Sequence, residues 1–170
     1  MYFQEYMNYS YTFNNIKDIH AANLSRTFLW ILYADKTPPH IGISIQGYFF
    51  SLKTEGKDEN IPLELLQNVV LKKKITSVAV QLSVQVSLTE LQLLFKNYAN
   101  IREGESCLTP ILQALGKGSF LSTVSELLKD LEDQDQIKAF FGLNLYPSFK
   151  GLNTYSSKDI QQRIQTLRNA

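Results

Sequence analysis

The chain has 170 residues, of which 44% are hydrophobic and 19% charged, a composition typical of an ordinary folded domain. A net charge of +1 gives no strong nucleic-acid signal, and a single cysteine excludes an internal disulfide framework. No apolar run approaches a membrane span, and the N-terminus lacks the basic and apolar regions of a secretion signal. We therefore expect one cytoplasmic domain, residues 1–170, without a membrane span.

Residues 1–27 form an aromatic-rich leader. Its aromatic side chains are Tyr2, Phe3, Tyr6, Tyr9, Tyr11 and Phe13. Aromatic residues stabilise proteins mainly through burial, which favours packing on the domain's own core over a flap or a partner-binding segment. The loosely helical apolar spacing of residues 15–24 predicts a short helix, with His20 on the surface or at the helix end.

The next segments predict three strands. Residues 27–34 are apolar on both faces and predict a buried strand. Residues 37–52 predict a hairpin whose two-residue turn is 46–47, because the second turn residue is glycine and apolar runs flank the pair. Side chains alternate along a strand, so His40 and Ser51 are expected on one face of this hairpin. An imidazole near a hydroxyl is a candidate corner of a functional site.

The middle of the chain predicts a loop, a helix and a strand. Residues 53–61 are interpreted as a polar loop, and Pro62 opens a helix that ends in the lysine run 72–74. We interpret the three lysines as a solvated helix end in preference to a phosphate site. Residues 75–86 alternate strictly, and their small and polar face is expected to meet solvent or line a cleft.

Two helices are predicted around the only thiol. Ser87 and Glu90 form a capping box that starts the first helix. A second helix is expected to begin at Cys107 with Ser106 as its N-cap. There the helix dipole and free N–H groups would stabilise a thiolate and help to hold an oxyanion. The remainder, 117–170, is interpreted as a C-terminal helical region that includes a last helix capped at its start by serine.

Cys107 and His40 are the candidate catalytic residues. A cysteine nucleophile requires a base, and the base requires an orienting partner. Ser51 is the first candidate for that third position, with Gln46 and Gln81 as weaker ones. The alternative interpretation is structural, because an isolated cysteine is often buried as a small hydrophobic residue.

The order of these features resembles a known superfamily. A histidine opening the strand His-Ile-Gly-Ile-Ser-Ile is followed by a turn, an aromatic strand, a further strand, a helix and a cysteine at the next helix start. This layout resembles the circularly permuted papain-like thiol hydrolases and acyltransferases, which include relatives of lecithin–retinol acyltransferase and cell-wall amidases. The resemblance covers residues 28–116, the expected papain-like core.

The resemblance implies a fold and a set of roles. The fold would be α+β, an antiparallel sheet of about four to five strands packed against helices. His40 would be the base and Cys107 the nucleophile, and Ser51 occupies the third position, where the family usually has His, Asn, Gln or an acid. The Asn-Cys-Glu-His signature of the acyltransferase relatives is absent, and Ser-Cys-Leu-Thr stands at 106–109 instead.

The sequence therefore predicts a cysteine hydrolase or acyl-transfer enzyme of the amidase or peptidase type. Its substrate would be a peptide, amide or acyl compound of unknown identity. The alternatives are a catalytically inactive papain-like fold that binds a protein or peptide, and an accessory protein of a phage or mobile element. No cofactor is predicted and no metal site, since one cysteine and two histidines cannot build a standard zinc site. The oligomeric state stays open.

Overall fold

The computed structural model describes residues 9–170. The strands are β1 (Tyr9–Thr12), β2 (Ile16–Asp18), β3 (Thr27–Leu32), β4 (His40–Ile45), β5 (Tyr48–Lys53), β6 (Gly56–Pro62), β7 (Ser77–Leu82), β8 (Ile137–Leu143) and β9 (Gly151–Asn153). The α-helices are α1 (Leu63–Lys72), α2 (Leu88–Lys96), α3 (Thr109–Ala114), α4 (Val124–Asp133) and α5 (Ser157–Arg168). No helix in this part of the chain combines the length and apolarity needed to cross a bilayer.

The fold is α+β, as predicted, but its main sheet is larger than expected. Seven strands pair in the order β2-β8-β7-β3-β4-β5-β6, and β1 pairs separately with β9. All neighbours in the main sheet are antiparallel except β2 and β8. The prediction of four to five strands is wrong because three segments read as other structures are strands of this sheet.

Those three strands carry weak sequence signals for physical reasons. The polar sequence of β6 predicts a loop, but charged residues are also typical of an edge strand, where they oppose pairing with other chains. β2 occupies the first part of the predicted short helix, of which only a 3₁₀ turn at Ile19–Ala21 remains. β8 lies in the region predicted as helical. In the main sheet it lies between β7 and β2, and this placement depends on tertiary contacts that a local sequence pattern does not reveal.

The hairpin that opens at His40 is confirmed. Gln46 and Gly47 have φ values of 52° and 83°, the left-handed pair that a two-residue hairpin turn requires. The register pairs Ile45 with Tyr48, and pairing continues to Ile43 and Phe50. Within the described chain the β4–β5 ladder does not extend to His40, which pairs instead with Leu32 of β3.

Both faces of the sheet are covered by hydrophobic side chains. One cluster contains Ile41 and Ile43 together with residues of α2, α3 and α4. The other contains Trp30 and Phe49 together with residues of α1. The expectation that one face of residues 75–86 meets solvent or a cleft is therefore wrong at Ser77, which is fully buried.

The capping boxes and part of the leader behave as predicted. Ser87 caps α2 reciprocally with Glu90, and an equivalent box starts α5. Tyr11 and Phe13 are buried in the core, which confirms the preferred interpretation for them. Tyr9, in β1, is half-buried, whereas Tyr2, Phe3 and Tyr6 lie outside the described residues.

A buried hydrogen bond joins β3 to β4 and permits a stability test. The Trp30 indole Nε1–H donates to Ser44 Oγ at 2.7 Å, and both residues are fully buried. Ser44→Ala is expected to cost about 1–3 kcal/mol of unfolding free energy, because it leaves a buried indole N–H without an acceptor. Urea unfolding measures this cost. The Trp30→Phe/Ser44→Ala double variant should lose less than the sum of the single variants, and simple additivity would contradict the account.

Candidate functional site

A chain of hydrogen-bonded side chains connects His40 to the edge of the sheet. His40 Nε2 lies 3.1 Å from Ser51 Oγ, and the Ser51 hydroxyl donates to Asp58 Oδ2 at 2.8 Å. Lys53 Nζ donates to the other oxygen of Asp58 at 3.0 Å. The single hydroxyl hydrogen of Ser51 goes to Asp58, so its oxygen accepts from His40. The proton of the neutral imidazole therefore lies on Nε2, and Nδ1 keeps its lone pair.

Strand pairing positions each member of this chain. The structure brings His40 and Ser51 together across the hairpin, as strand alternation predicts. Asp58 lies on β6, directly paired with the fully buried Ser51. The sequence reasoning missed Asp58 because it treated residues 53–61 as a loop. Placing a two-residue turn at 54–55 and counting outward pairs 51 with 58, so a signal was present.

Neither glutamine considered for the third position reaches His40. Gln46 lies in the turn, at the opposite end of β4 from His40. Gln81 pairs with Phe28, which in turn pairs with Ser44 rather than with the start of β4.

The small residues on the histidine's face of β4 serve the core. The ring of Phe49 lies across Gly42, and Ser44 accepts the indole hydrogen bond of Trp30. Only His40, the first residue of the strand, extends beyond this packed region to Ser51. Of this face, His40 alone belongs to the candidate site.

The imidazole of His40 is neutral over the physiological range. Burial is the largest effect and lowers its pKa from 6.5 to about 4, because a charged ring loses hydration there. The carboxylate of Asp58 raises the pKa, and the Lys53 ammonium lowers it. The ring is thus present as a base at neutral pH, with no proton on Nδ1.

Cys107 does not begin a helix as predicted. α3 starts at Thr109, and Cys107 lies in the preceding turn. That turn satisfies its own donors, because Leu108 N–H donates to Ser106 Oγ and Ser106 N–H donates to Thr109 Oγ1. These N–H groups are therefore occupied and do not form the expected oxyanion site.

The expected stabilisation of a thiolate at Cys107 is also wrong. Burial raises the pKa of the Cys107 thiol above its ordinary value, since the charged form would lose hydration. The backbone N–H groups of Ile41 and of Cys107 itself lower the pKa but do not cancel this effect. At neutral pH the thiol is protonated.

The interaction with Ile41 locates the sulfur relative to His40. Ile41 follows His40 directly, and its N–H lowers the pKa of the thiol, so the sulfur lies near the peptide that joins these two residues. Cys107 packs against the cluster that contains Ile41, whereas the His40 side chain lies on the other face. The two groups thus lie on opposite faces of the sheet at the start of β4. No hydrogen bond joins their side chains within residues 9–170.

Tyr155 is a neighbour of the thiol that sequence reasoning did not identify. Its hydroxyl oxygen accepts a hydrogen bond from Val124 N–H at 2.9 Å. Burial raises the pKa of Tyr155, and proximity to Cys107 raises it further. No local pattern links these residues, because α3 and α4 separate them along the chain.

A surface cavity of about 470 Å³ adjoins the turn that carries Cys107. Ser106 and Thr109, which flank the thiol residue, are part of its lining, but Cys107 and His40 are not. Most other lining groups are hydroxyls, amides and apolar side chains, including Gln113, Ser119, Leu121, Ser157 and Ile160. Its two charged residues, Glu105 and Lys117, are each paired with other side chains. The cavity is therefore polar but close to neutral.

No group of three or more His, Cys, Asp or Glu side chains in the described chain is arranged to hold a metal ion. Comparisons with protein-family models, curated proteins and solved structures found no match. The papain-like resemblance therefore stays a prediction, and the function must be argued from the site itself.

Proposed function

We propose that the protein is a cytoplasmic cysteine hydrolase or acyl-transfer enzyme with a permuted papain-like fold. Cys107 is the nucleophile and His40 the base. One observation carries the proposal, namely that His40, whose Nε2 is bonded to Ser51, directly precedes Ile41, the residue whose N–H lowers the pKa of the Cys107 thiol. Covalent catalysis requires a nucleophile and a base that a third group orients, and His40 bonded to Ser51 supplies the oriented base of the proposal.

The chemistry follows from the protonation states. As the sulfur adds to the carbonyl carbon of an amide or ester, the thiol proton passes to Nδ1 of His40. The tetrahedral intermediate then expels the amine or alcohol, which takes that proton, and a thioester remains on Cys107. Water, deprotonated by His40, cleaves the thioester, or a second nucleophile takes the acyl group.

Before substrate reacts, the Cys107 thiol and the His40 imidazole are both neutral, and they do not form a thiolate–imidazolium pair. A raised thiol pKa and a lowered imidazole pKa both favour the neutral forms. Proton transfer must therefore accompany nucleophilic attack, and His40 acts as a general base in the proposal.

The cavity beside residues 106–109 suits the substrate predicted for such an enzyme. Its volume is in the range of ordinary ligand sites. Oxygen atoms of Ser106 and Thr109 accept hydrogen bonds within the turn, so their hydroxyl hydrogens are available to a carbonyl. With its charged groups already paired, the cavity favours a neutral peptide, amide or acyl compound.

Acylation of Cys107 by a p-nitrophenyl ester tests this proposal. Intact-mass and peptide-mass spectrometry should find one acyl group, bound to Cys107, with a burst of p-nitrophenol. Cys107→Ala should abolish the adduct, and His40→Ala should slow its formation by about 100-fold or more, since general-base catalysis has this magnitude. Modification only of lysines, or equal rates in wild type and His40→Ala, would contradict the proposal.

A second function is an inactive papain-like domain that binds a protein or peptide. The cavity favours it, because its lining excludes Cys107 and His40, and Phe120 on the adjoining loop is 79% exposed. In this case Cys107 would acquire no acyl group at neutral pH, whereas wild type and Cys107→Ala would bind a peptide equally well.

A further inference from the structure

We infer that Asp58 is a positioning residue for His40, acting through Ser51 to keep the lone pair of Nδ1 free for the thiol proton. The inference rests on the proposed function for its catalytic meaning. The tautomer of the His40 imidazole can be measured whether or not the protein has catalytic activity.

Ser51 alone cannot choose the tautomer of His40. A hydroxyl both donates and accepts, so it can face either a protonated or an unprotonated Nε2. An ionised carboxylate accepts only, and Asp58 Oδ2 at 2.8 Å therefore takes the single hydroxyl hydrogen of Ser51. The Ser51 oxygen is left as the acceptor for His40 Nε2–H at 3.1 Å.

The sheet holds this relay in place. Ser51 and Asp58 are paired residues on adjacent antiparallel strands, and Ser51 is fully buried. Lys53 holds the second carboxylate oxygen at 3.0 Å, which fixes the orientation of the carboxylate plane. β5 has Ser51 at the third position, where an acidic side chain could orient His40. The carboxylate comes instead from Asp58 on β6.

Asp58→Asn should reverse the relay. The Lys53 ammonium can only donate hydrogen bonds, so it will stay bonded to the oxygen of the new amide. The NH₂ of that amide must then point toward Ser51. Ser51 then accepts from the amide and donates its own hydrogen to His40 Nε2. The imidazole must move its proton to Nδ1, and the base loses the lone pair that the thiol requires.

Nitrogen-15 NMR of the histidine ring tests the inference at pH 7. Long-range ¹H–¹⁵N correlation should show His40 as the Nε2–H tautomer in wild type and as Nδ1–H in Asp58→Asn. His20→Gln identifies the signals, because the chain has two histidines. Adding Lys53→Met to Asp58→Asn should restore Nε2–H, since the amide is then free to present its oxygen to Ser51.

Glu59→Gln is the matched control, because Glu59 is also a β6 carboxylate paired with a lysine but has no bond to Ser51. It should leave the tautomer unchanged. An Nδ1–H ring in wild type, or an Nε2–H ring in Asp58→Asn, would overturn the inference. Circular dichroism confirms that each variant is folded.

The ester assay separates this inference from the proposed function. If both hold, Asp58→Asn slows acylation of Cys107, by no more than the roughly 100-fold or greater loss expected for His40→Ala, since Asp58 acts only through that base. If Asp58→Asn switches the His40 tautomer but Cys107 of the wild type is never acylated, the inference holds and the proposed enzymatic function is refuted. Acylation that is equally fast in Asp58→Asn would refute the positioning role alone.

Discussion

Lowering the pH from 7 to 4 is expected to reduce the free energy of unfolding by about 3 kcal/mol through His40 alone. Burial lowers the folded-state pKa of this ring from 6.5 to about 4. Between these two values the unfolded chain binds a proton that the folded protein does not. The contribution of neutral His40 to the free energy of unfolding is therefore fully present above pH 6.5 and is lost as the pH falls toward 4.

Urea unfolding at several pH values between 4 and 7 measures this dependence. His40→Gln should flatten most of it, because glutamine retains a hydrogen-bonding group but does not titrate. His20→Gln is the control, since His20 is an exposed side chain bonded to Asp18 at the surface. If wild type and His40→Gln lose stability in parallel, His40 is not a buried neutral base, and the general-base role loses its physical basis.

Local signals determined how much of the fold could be predicted. The turn at Gln46 and Gly47 and the capping box at Ser87 depend on residues close together in sequence, and both are confirmed. The joining of β8 to β7 depends on the whole sheet. A short run of apolar residues does not reveal its strand neighbours, so this part of the sheet was not predicted.

The candidate site likewise has parts that local sequence signals predict and parts that they do not. Strand alternation across one hairpin was sufficient to place His40 near Ser51. Asp58 required recognition of a second hairpin whose outer strand is polar. Ile41 and Tyr155, which are linked to Cys107 through pKa effects, are far from it in sequence, and burial raises the thiol pKa against the expectation from a helix start. Neither effect has a signature in sequence spacing.

Gly42→Ala is expected to destabilise the protein by about 3 kcal/mol, at the upper end of the cost of overpacking a core. A Cβ at this position would lie 2.3 Å from two ring carbons of Phe49 and 3.0 Å from the carbonyl oxygen of Phe50. Phe49 is almost completely buried, so its ring has little room to move. Strand β4 must shift instead, and His40 lies only two residues away.

Gly56→Ala is the matched control, because Gly56 is also a strand glycine but a Cβ there would meet no atom within 4 Å. Urea unfolding should find it within about 0.5 kcal/mol of wild type, the usual range for substitutions away from packed features. Phe49→Leu should partly rescue Gly42→Ala by removing the opposing ring carbons. If Gly42→Ala were as stable as Gly56→Ala, the aromatic ring would not explain the glycine.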